Sequence, residues 1–451
     1  MKTYKEAILN ASDFGEDFIW GVSTAAYQIE GAHDLHGKGP SIWDKFTATP
    51  KTILNGDNAN VSCDFYHRYK EDILLMKSMN IDNYRFSISW PRVLPNGTGA
   101  INKAGIQFYN DVINFCLDQN ITPWVTLYHW DLPQTLEEKG GWTNRDILNW
   151  FSEFTKVCAN AFGDRIKNWM ILNEPMVFTG AGYFLGVHAP GKKGLKNFLP
   201  AAHHAVLCQA EGGRLLRKLV PKAHIGTTFS CSQITPYRNN KRDRKTAVQV
   251  DALLNRLFIE PALGLGYPIN EAPVLKKLQP YIQSTDMEDC QFNFDFIGIQ
   301  NYTREKVKYS LFVPYIKAKI VKASKRNVQT TLMDWEVYPP SIYNMIKKYN
   351  DYPQIKKIII TENGAAFKDT MFEKKIDDTQ RKDFLKRYLG QVLKAKQEGL
   401  NIHGYFVWTF TDNFEWAEGY HPRFGLVHID FKTLKRTIKE SGKWFSNFLS
   451  S

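Results

Sequence analysis

The sequence predicts an α/β fold: a single (β/α)8 barrel whose long loops form a deep pocket at the C-terminal face of its strands. Three observations lead there. Apolar, β-prone runs recur near residues 17–23, 83–89, 122–128, 167–173, 224–230, 294–301, 357–362 and 402–409. Amphipathic stretches lie between them, and strand–helix alternation favours parallel βαβ units. The 451 residues carry no Pro/Gly/Ser-rich linker and no low-complexity tract, so residues 1–451 read as one domain. That length far exceeds the roughly 250 residues typical of such a barrel, and the surplus belongs in the loops after its strands.

The first run, 17–23, leads into Gly21-Val-Ser-Thr-Ala-Ala-Tyr-Gln-Ile-Glu-Gly31. An open doubly wound sheet would carry a glycine-rich phosphate loop there. The chain contains neither G-x-G-x-x-G nor G-x-x-x-x-G-K-[ST], which removes most support for nucleotide chemistry. A helix from Tyr66 to Met79 precedes the second run, which carries Arg85, and Gln107 to Gln119 precedes the third. That third run reaches Tyr128-His129-Trp130-Asp131, and after a helix from Arg145 to Phe162 the fourth ends in Asn173-Glu174-Pro175. The helix from Pro200 to Leu219 leads to the fifth run, and the sixth ends in Gln300-Asn301-Tyr302. Pro340 to Tyr349 precedes the seventh, which ends in Thr361-Glu362-Asn363-Gly364. Thr379 to Glu398 precedes the eighth, which passes Trp408 into Asp412-Asn413-Phe414-Glu415-Trp416.

Catalytic groups collect at the C-terminal ends of parallel strands. A carboxyl group there is either an inert salt-bridge partner or half of an acid/base or nucleophile pair. Glu174 and Glu362 stand in matching contexts, each closing an apolar run before turn residues. A ring of amide, imidazole, carboxylate and indole groups at the other exits favours the second reading. The chain is also rich in aromatic residues, with 12 Trp, 21 Tyr and 29 Phe. Most of these rings belong in a core, but flat faces at strand ends also stack on sugars.

The formal charge of +12 raises nucleic acids and anionic surfaces as partners. The basic residues are dispersed, and the densest clusters, Arg238–Lys245 and Lys317–Arg326, read as solvated loops or helix faces. Neither nucleic acid nor membrane is therefore expected as a partner. Six cysteines, at 63, 116, 158, 208, 231 and 290, show no metal-ligand spacing. The segment Met1 to Phe14 is polar, and no run nears the roughly 18 apolar residues of a membrane span. A reduced, cytoplasmic setting follows as the expectation.

With these motifs in order, the chain resembles glycoside hydrolase family 1, the retaining β-glucosidase family. The resemblance runs from Phe18 to Phe445 and rests on Phe18-x-Trp-Gly, Asn173-Glu-Pro175, Thr361-Glu-Asn-Gly364 and Asp412-Asn-Phe-Glu-Trp416. It implies a TIM barrel that cleaves terminal β-D-glucosyl residues, with galactosyl or fucosyl residues as further options. It assigns Glu174 as acid/base and Glu362 as nucleophile, and retaining enzymes hold such carboxyls about 5–5.5 Å apart. Arg85 and Tyr302 are expected to contact Glu362 and favour its charged form. Glu174 is expected to hold its proton because of the negative charge beside it.

The resemblance carries sugar contacts to Gln28, His129, Asn173, Glu415 and Trp416, with Trp408 as platform beneath the ring. Asn173 would meet the 2-hydroxyl. Trp335 would line the leaving-group side, and Phe424 either faces the sugar's 6-position or only packs. Gln300 takes the place where the family has Asn, Asn301 the place of a Tyr, and Tyr302 that of the tyrosine beside the nucleophile. No metal or organic cofactor is implied. The partner is a small β-glycoside or oligosaccharide, and an oligomer is compatible with the pattern. Alternatives within reach are a 6-phospho-β-glycosidase, a transglycosylase and a catalytically silent glycan-binding relative. An anionic Glu415 would repel a phosphate, and retention of both glutamates speaks against silence.

Overall fold

The computed structural model describes residues 9–373 and 375–451. Eight strands form a closed, all-parallel barrel: β1 (Ile19–Ser23), β2 (Asn83–Ser87), β3 (Thr122–Tyr128), β4 (Asn168–Asn173), β5 (His224–Ser230), β6 (Phe296–Gln300), β7 (Ile358–Asn363) and β8 (Ile402–Trp408). Consecutive strands are neighbours, and β8 closes on β1, with Ser23 opposite Trp408. The major helices are α1 (Phe65–Ser78), α2 (Lys103–Asp118), α3 (Ile147–Phe162), α4 (Leu195–Leu219), α5 (Lys241–Asp251), α6 (Pro340–Asn350), α7 (Thr379–Gln397) and α8 (Glu440–Leu449). This is the (β/α)8 TIM barrel that the alternating pattern predicts. Of the polar segment Met1–Phe14, the first eight residues lie outside the described part.

The barrel interior is filled by large side chains facing small ones. Trp124, Met170, Phe296, Ile359 and Phe406 form one buried cluster at its centre. Gly21 makes room for it, because a Cβ there would stand 2.4 Å from the Phe406 ring and 2.7 Å from the Asn83 carbonyl. A much larger cluster packs the outer faces of the strands against the helices. Strand ends match the sequence reading within about two residues, whereas two helices begin earlier than expected. The amide of Asn102 accepts from the Ala104 N–H at 3.2 Å and so caps α2 at Lys103 rather than Gln107. Helix α4 runs from Leu195 with Pro200 inside it, where the sequence suggests a start at the proline.

The extra length sits after the strands. Residues 24–64 follow β1, and a three-stranded sheet of Gln233–Pro236, Arg304–Tyr309 and Ala318–Ile320 follows β5 and β6. The loop after β1 is pinned by Glu30, which takes the Arg92 Nε at 2.8 Å with both side chains nearly inaccessible. Arg92 also donates to the Gly31 carbonyl at 3.1 Å, and Tyr109 donates to the other Glu30 oxygen. Removing one partner of such a pair leaves the other as an uncompensated buried charge. Arg92→Ala is therefore expected to lose about 3–5 kcal/mol of stability. A lower urea midpoint at unchanged slope would show it; an unchanged midpoint would refute the pin.

Candidate active site

The strand ends converge on one cavity of about 290 Å³. Its wall includes His129 and Trp130 after β3, Glu174 after β4, Tyr302 after β6, Glu362 of β7, Trp408 of β8, and Glu415, Trp416 and Phe424 beyond it. Met333 and Trp335 come from the long segment between β6 and α6. Backbone geometry aims several of these groups inward. Glu174, Trp130 and Trp416 hold φ of +45°, +79° and +49°, a region that costs non-glycine residues about 1 kcal/mol or more and clusters at functional sites. Gly364 answers a similar need after Glu362, since a Cβ there would lie 1.7 Å from the Trp408 carbonyl oxygen.

Glu362 is held by three donors. Arg85 Nη1 reaches its Oε1 at 2.5 Å, Gln300 Nε2 reaches the same oxygen at 2.7 Å, and the Tyr302 hydroxyl donates to Oε2 at 2.6 Å. Burial raises its pKa above the ordinary carboxylate value, and the Arg85 charge and the Tyr302 hydrogen bond offset that rise only in part. Tyr302 keeps its proton, because burial first and then the Glu362 charge push its phenol well above the usual value.

Glu174 sits in the opposite environment. Burial is the largest cause of its strongly raised pKa, and the negative charge of Glu362 is the second. The sequence reading had named the neighbouring charge as the cause; the low-dielectric wall outranks it. The Ser230 hydroxyl and Arg85 offset this only in part. Burial thus favours the protonated form of Glu174, while three donors support the ionised form of Glu362. Such a pair can deliver a proton from one side and attack from the other.

The remaining residues fall into two groups. Arg85, Gln28, Asn173 and Gln300 have no exposed surface and are fixed by dense hydrogen bonding. Asn173 Oδ1 accepts from Arg85 Nη2 at 2.5 Å, Gln300 Nε2 at 2.8 Å and Thr228 Oγ1 at 2.9 Å. Its Nδ2 donates to His129 Nε2 at 3.0 Å, which places the imidazole proton on Nδ1. Burial and the nearby Arg85 hold His129 well below its usual pKa, so the ring is neutral. Gln28 Nε2 donates to the Phe414 carbonyl at 2.9 Å and to Glu415 Oε2 at 3.3 Å. The Oε1 atoms of Gln28 and Gln300 and the His129 Nδ1 are buried without a protein partner among the described residues, a pattern that suits a polyhydroxylated ligand. Asn301 does not join the site: its amide donates to the Cys231 and Thr303 carbonyls and to Ser341 Oγ.

Aromatic faces line the rest. His129 stacks between Trp408 and Trp416, with ring centroids 5.9 Å from each. Trp335 packs 5.2 Å from Tyr302 and 6.1 Å from Phe424 at the other side. Burial and the Glu362 charge raise the Glu415 pKa to about 8, which favours its protonated form. Ser230, His188, Glu305 and Met333 also line the cavity, and no local sequence signal marks them.

Among the described residues, Asp369, Asp412 and His428 bring ligand-type atoms within 4.8 Å of one another. The Lys439 ammonium already bridges the two aspartates, at 2.8 and 2.7 Å. Together with Arg381 and Arg423 it holds Asp412 far below the ordinary carboxylate range. This cluster is a buried ionic clasp under the loop after β8, not a ready cation site.

Comparison with known proteins matches the model of "Glycosyl hydrolase family 1" to residues 10–451. Beta-glucosidase A of Thermotoga maritima is 42% identical over 445 residues, 98% of this chain and 99% of that protein. The 1,4-beta-D-glucan glucohydrolase of Thermotoga neapolitana is 42% identical over 97% of this chain and 98% of its own length. The solved structure of a Thermotoga maritima beta-glucosidase in complex with deoxynojirimycin superposes with a TM-score of 0.94, at 41% identity, covering 98% and 99% of the two chains. A barrel with paired carboxylates at strands β4 and β7, matched end to end by these relatives, belongs to glycosyl hydrolase family 1.

Proposed function

We propose that Glu362 attacks the anomeric carbon while Glu174 donates its proton to the departing glycosidic oxygen. The contrast between the two carboxyls carries this reading: three donors on one, burial against a negative charge on the other. A covalent glycosyl-enzyme forms on Glu362, and its ester neutralises that residue's charge. Glu174, now ionised, removes a proton from water, which attacks the anomeric carbon and releases the sugar with its configuration retained. The fixed hydrogen bonds on Glu362 cost no reorganisation as charge moves from nucleophile to leaving group.

The activity is that of a retaining β-glucosidase. Deoxynojirimycin is a nitrogen analogue of glucose, so the complex of the relative supports a glucosyl unit in this cavity. Gln28, His129, Asn173 and Glu415 are the groups we assign to its hydroxyls, with Trp408 beneath the ring and Trp416 and Phe424 beside it. Gln300 acts through Glu362, and Trp335 faces the leaving group. Short β-glucans are the substrates we infer, supported by the glucan glucohydrolase among the relatives. All six cysteines are buried and unpaired, which supports a reducing compartment. No helix among the described residues is long and apolar enough to cross a membrane. We infer that the whole chain forms one barrel unit.

Glu362→Ala is expected to lose turnover by about three orders of magnitude or more. Azide should restore part of it through an α-glycosyl azide, and a β-configured azide would contradict the assignment. Glu174→Ala should slow nitrophenyl glucoside cleavage far less than cellobiose cleavage, because only the poor leaving group needs protonation; equal losses would remove its acid role.

The pH profile should be bell-shaped, with its acid limb set by ionisation of Glu362 and its alkaline limb by loss of the Glu174 proton. The Glu362 charge raises the Glu174 pKa, so Glu362→Gln should lower it, yet leave it above the ordinary carboxylate range because burial persists. Carbon-13 NMR titration of the labelled carboxyl reads this directly, and an unchanged or higher value would refute the coupling.

A further inference from the structure

The two basic clusters that look merely solvated in the sequence share one face of the folded protein. Arg238, Lys241 and Arg242 meet Lys308 and Lys319 around a cleft of about 720 Å³. Its lip is the turn joining Arg304–Tyr309 to Ala318–Ile320, closed by the Ser310 N–H donating to the Lys317 carbonyl at 2.9 Å. Within that turn Ile316 packs inward on Ala247, Val250 and Val307, which anchors it. Leu311, Phe312 and Tyr315 point the other way, 69%, 96% and 55% exposed. One exposed apolar side chain is ordinary; three within five residues, inside a collar of lysines, are not.

We propose that this lysine-collared hairpin docks the enzyme on an anionic lipid surface, with Leu311 and Phe312 entering the acyl boundary. Charge and apolarity point to the same occupant. Polybasic segments gain from anionic headgroups, and exposed Leu and Phe gain from the hydrocarbon edge. Asp243, the acid within the first cluster, is buried and already takes Arg238 at 2.8 Å. Arg242 and Lys308 lie over the Tyr309 and Tyr237 rings, 5.9 Å from each centroid, and line the cleft. A nucleic acid would use the same cations but gives Leu311 nothing to bury in. The strand that carries Lys306 and Lys308 starts two residues after Tyr302, so the docked surface lies on the catalytic side of the barrel.

Co-sedimentation of the full chain with phosphatidylcholine vesicles, with and without about a third phosphatidylglycerol, tests this. Binding is expected only to the anionic vesicles and should fall with added salt. Lys308→Glu and Lys319→Glu should each weaken it by about fivefold or more, and L311S/F312S by about tenfold or more. Hydrolysis of nitrophenyl glucoside by all variants should be unchanged, which separates loss of docking from loss of fold or of catalysis. No binding to anionic vesicles, equal binding to neutral ones, or variants that bind like the parent would each overturn the proposal. So would tighter binding of single-stranded DNA than of vesicles through the same residues.

Discussion

A guanidinium with no exposed surface sits where the barrel meets its cavity. Arg85 carries a fixed positive charge there, and taking such a charge out of water is tolerated only with anionic or strongly dipolar partners in place. It has both: Glu362 on one Nη and the Asn173 amide oxygen on the other. That requirement ties β2, β4 and β7 together at their C-terminal ends. It also favours the charged form of a carboxylate inside a wall that favours its protonation. Nucleophile charge and barrel integrity are in this sense one constraint.

The same wall acts in reverse on Glu174 and Glu415. Both lack a cationic partner of their own, so desolvation sets their state. For Glu174 the outcome suits the proton donation proposed for it. For Glu415 it favours the protonated form. These three carboxyls share one low-dielectric pocket, and the guanidinium touches only Glu362.

Much of this was legible in the sequence because it is locally encoded. Apolar, β-prone runs alternating with amphipathic stretches located all eight strands, and each strand-end motif put its key residue within two positions of the turn that aims it. The sequence could not rank burial against charge for Glu174, nor see that Glu415 would be desolvated, because both depend on walls from distant loops. Ser230 closes β5 and Glu305 sits in the strand Arg304–Tyr309, neither within a distinguishing motif, and Met333 reaches the cavity from an irregular segment. The basic clusters were visible, but their adjacency was not: Lys308 and Lys319 lie on paired strands after β6, while Arg238 and Lys241 come from the preceding connection, between β5 and β6.

The seam between the first and last strands has a thermodynamic meaning. Gln28 follows β1, Glu415 follows β8, and they hydrogen-bond across the closure, beside the Ser23–Trp408 register pair. The Lys439 clasp fixes the Asp412 end of the same loop from below. On the proposed assignment, a sugar held jointly by Gln28 and Glu415 bridges the junction between the first and last strands. Occupancy of the glycone position and closure of the barrel would then be linked equilibria, with ligand stabilising the closed form by RT ln(1 + [L]/Kd). Substrate supply would then govern how often the seam breathes, and with it the exchange of its backbone amides and its exposure to proteases.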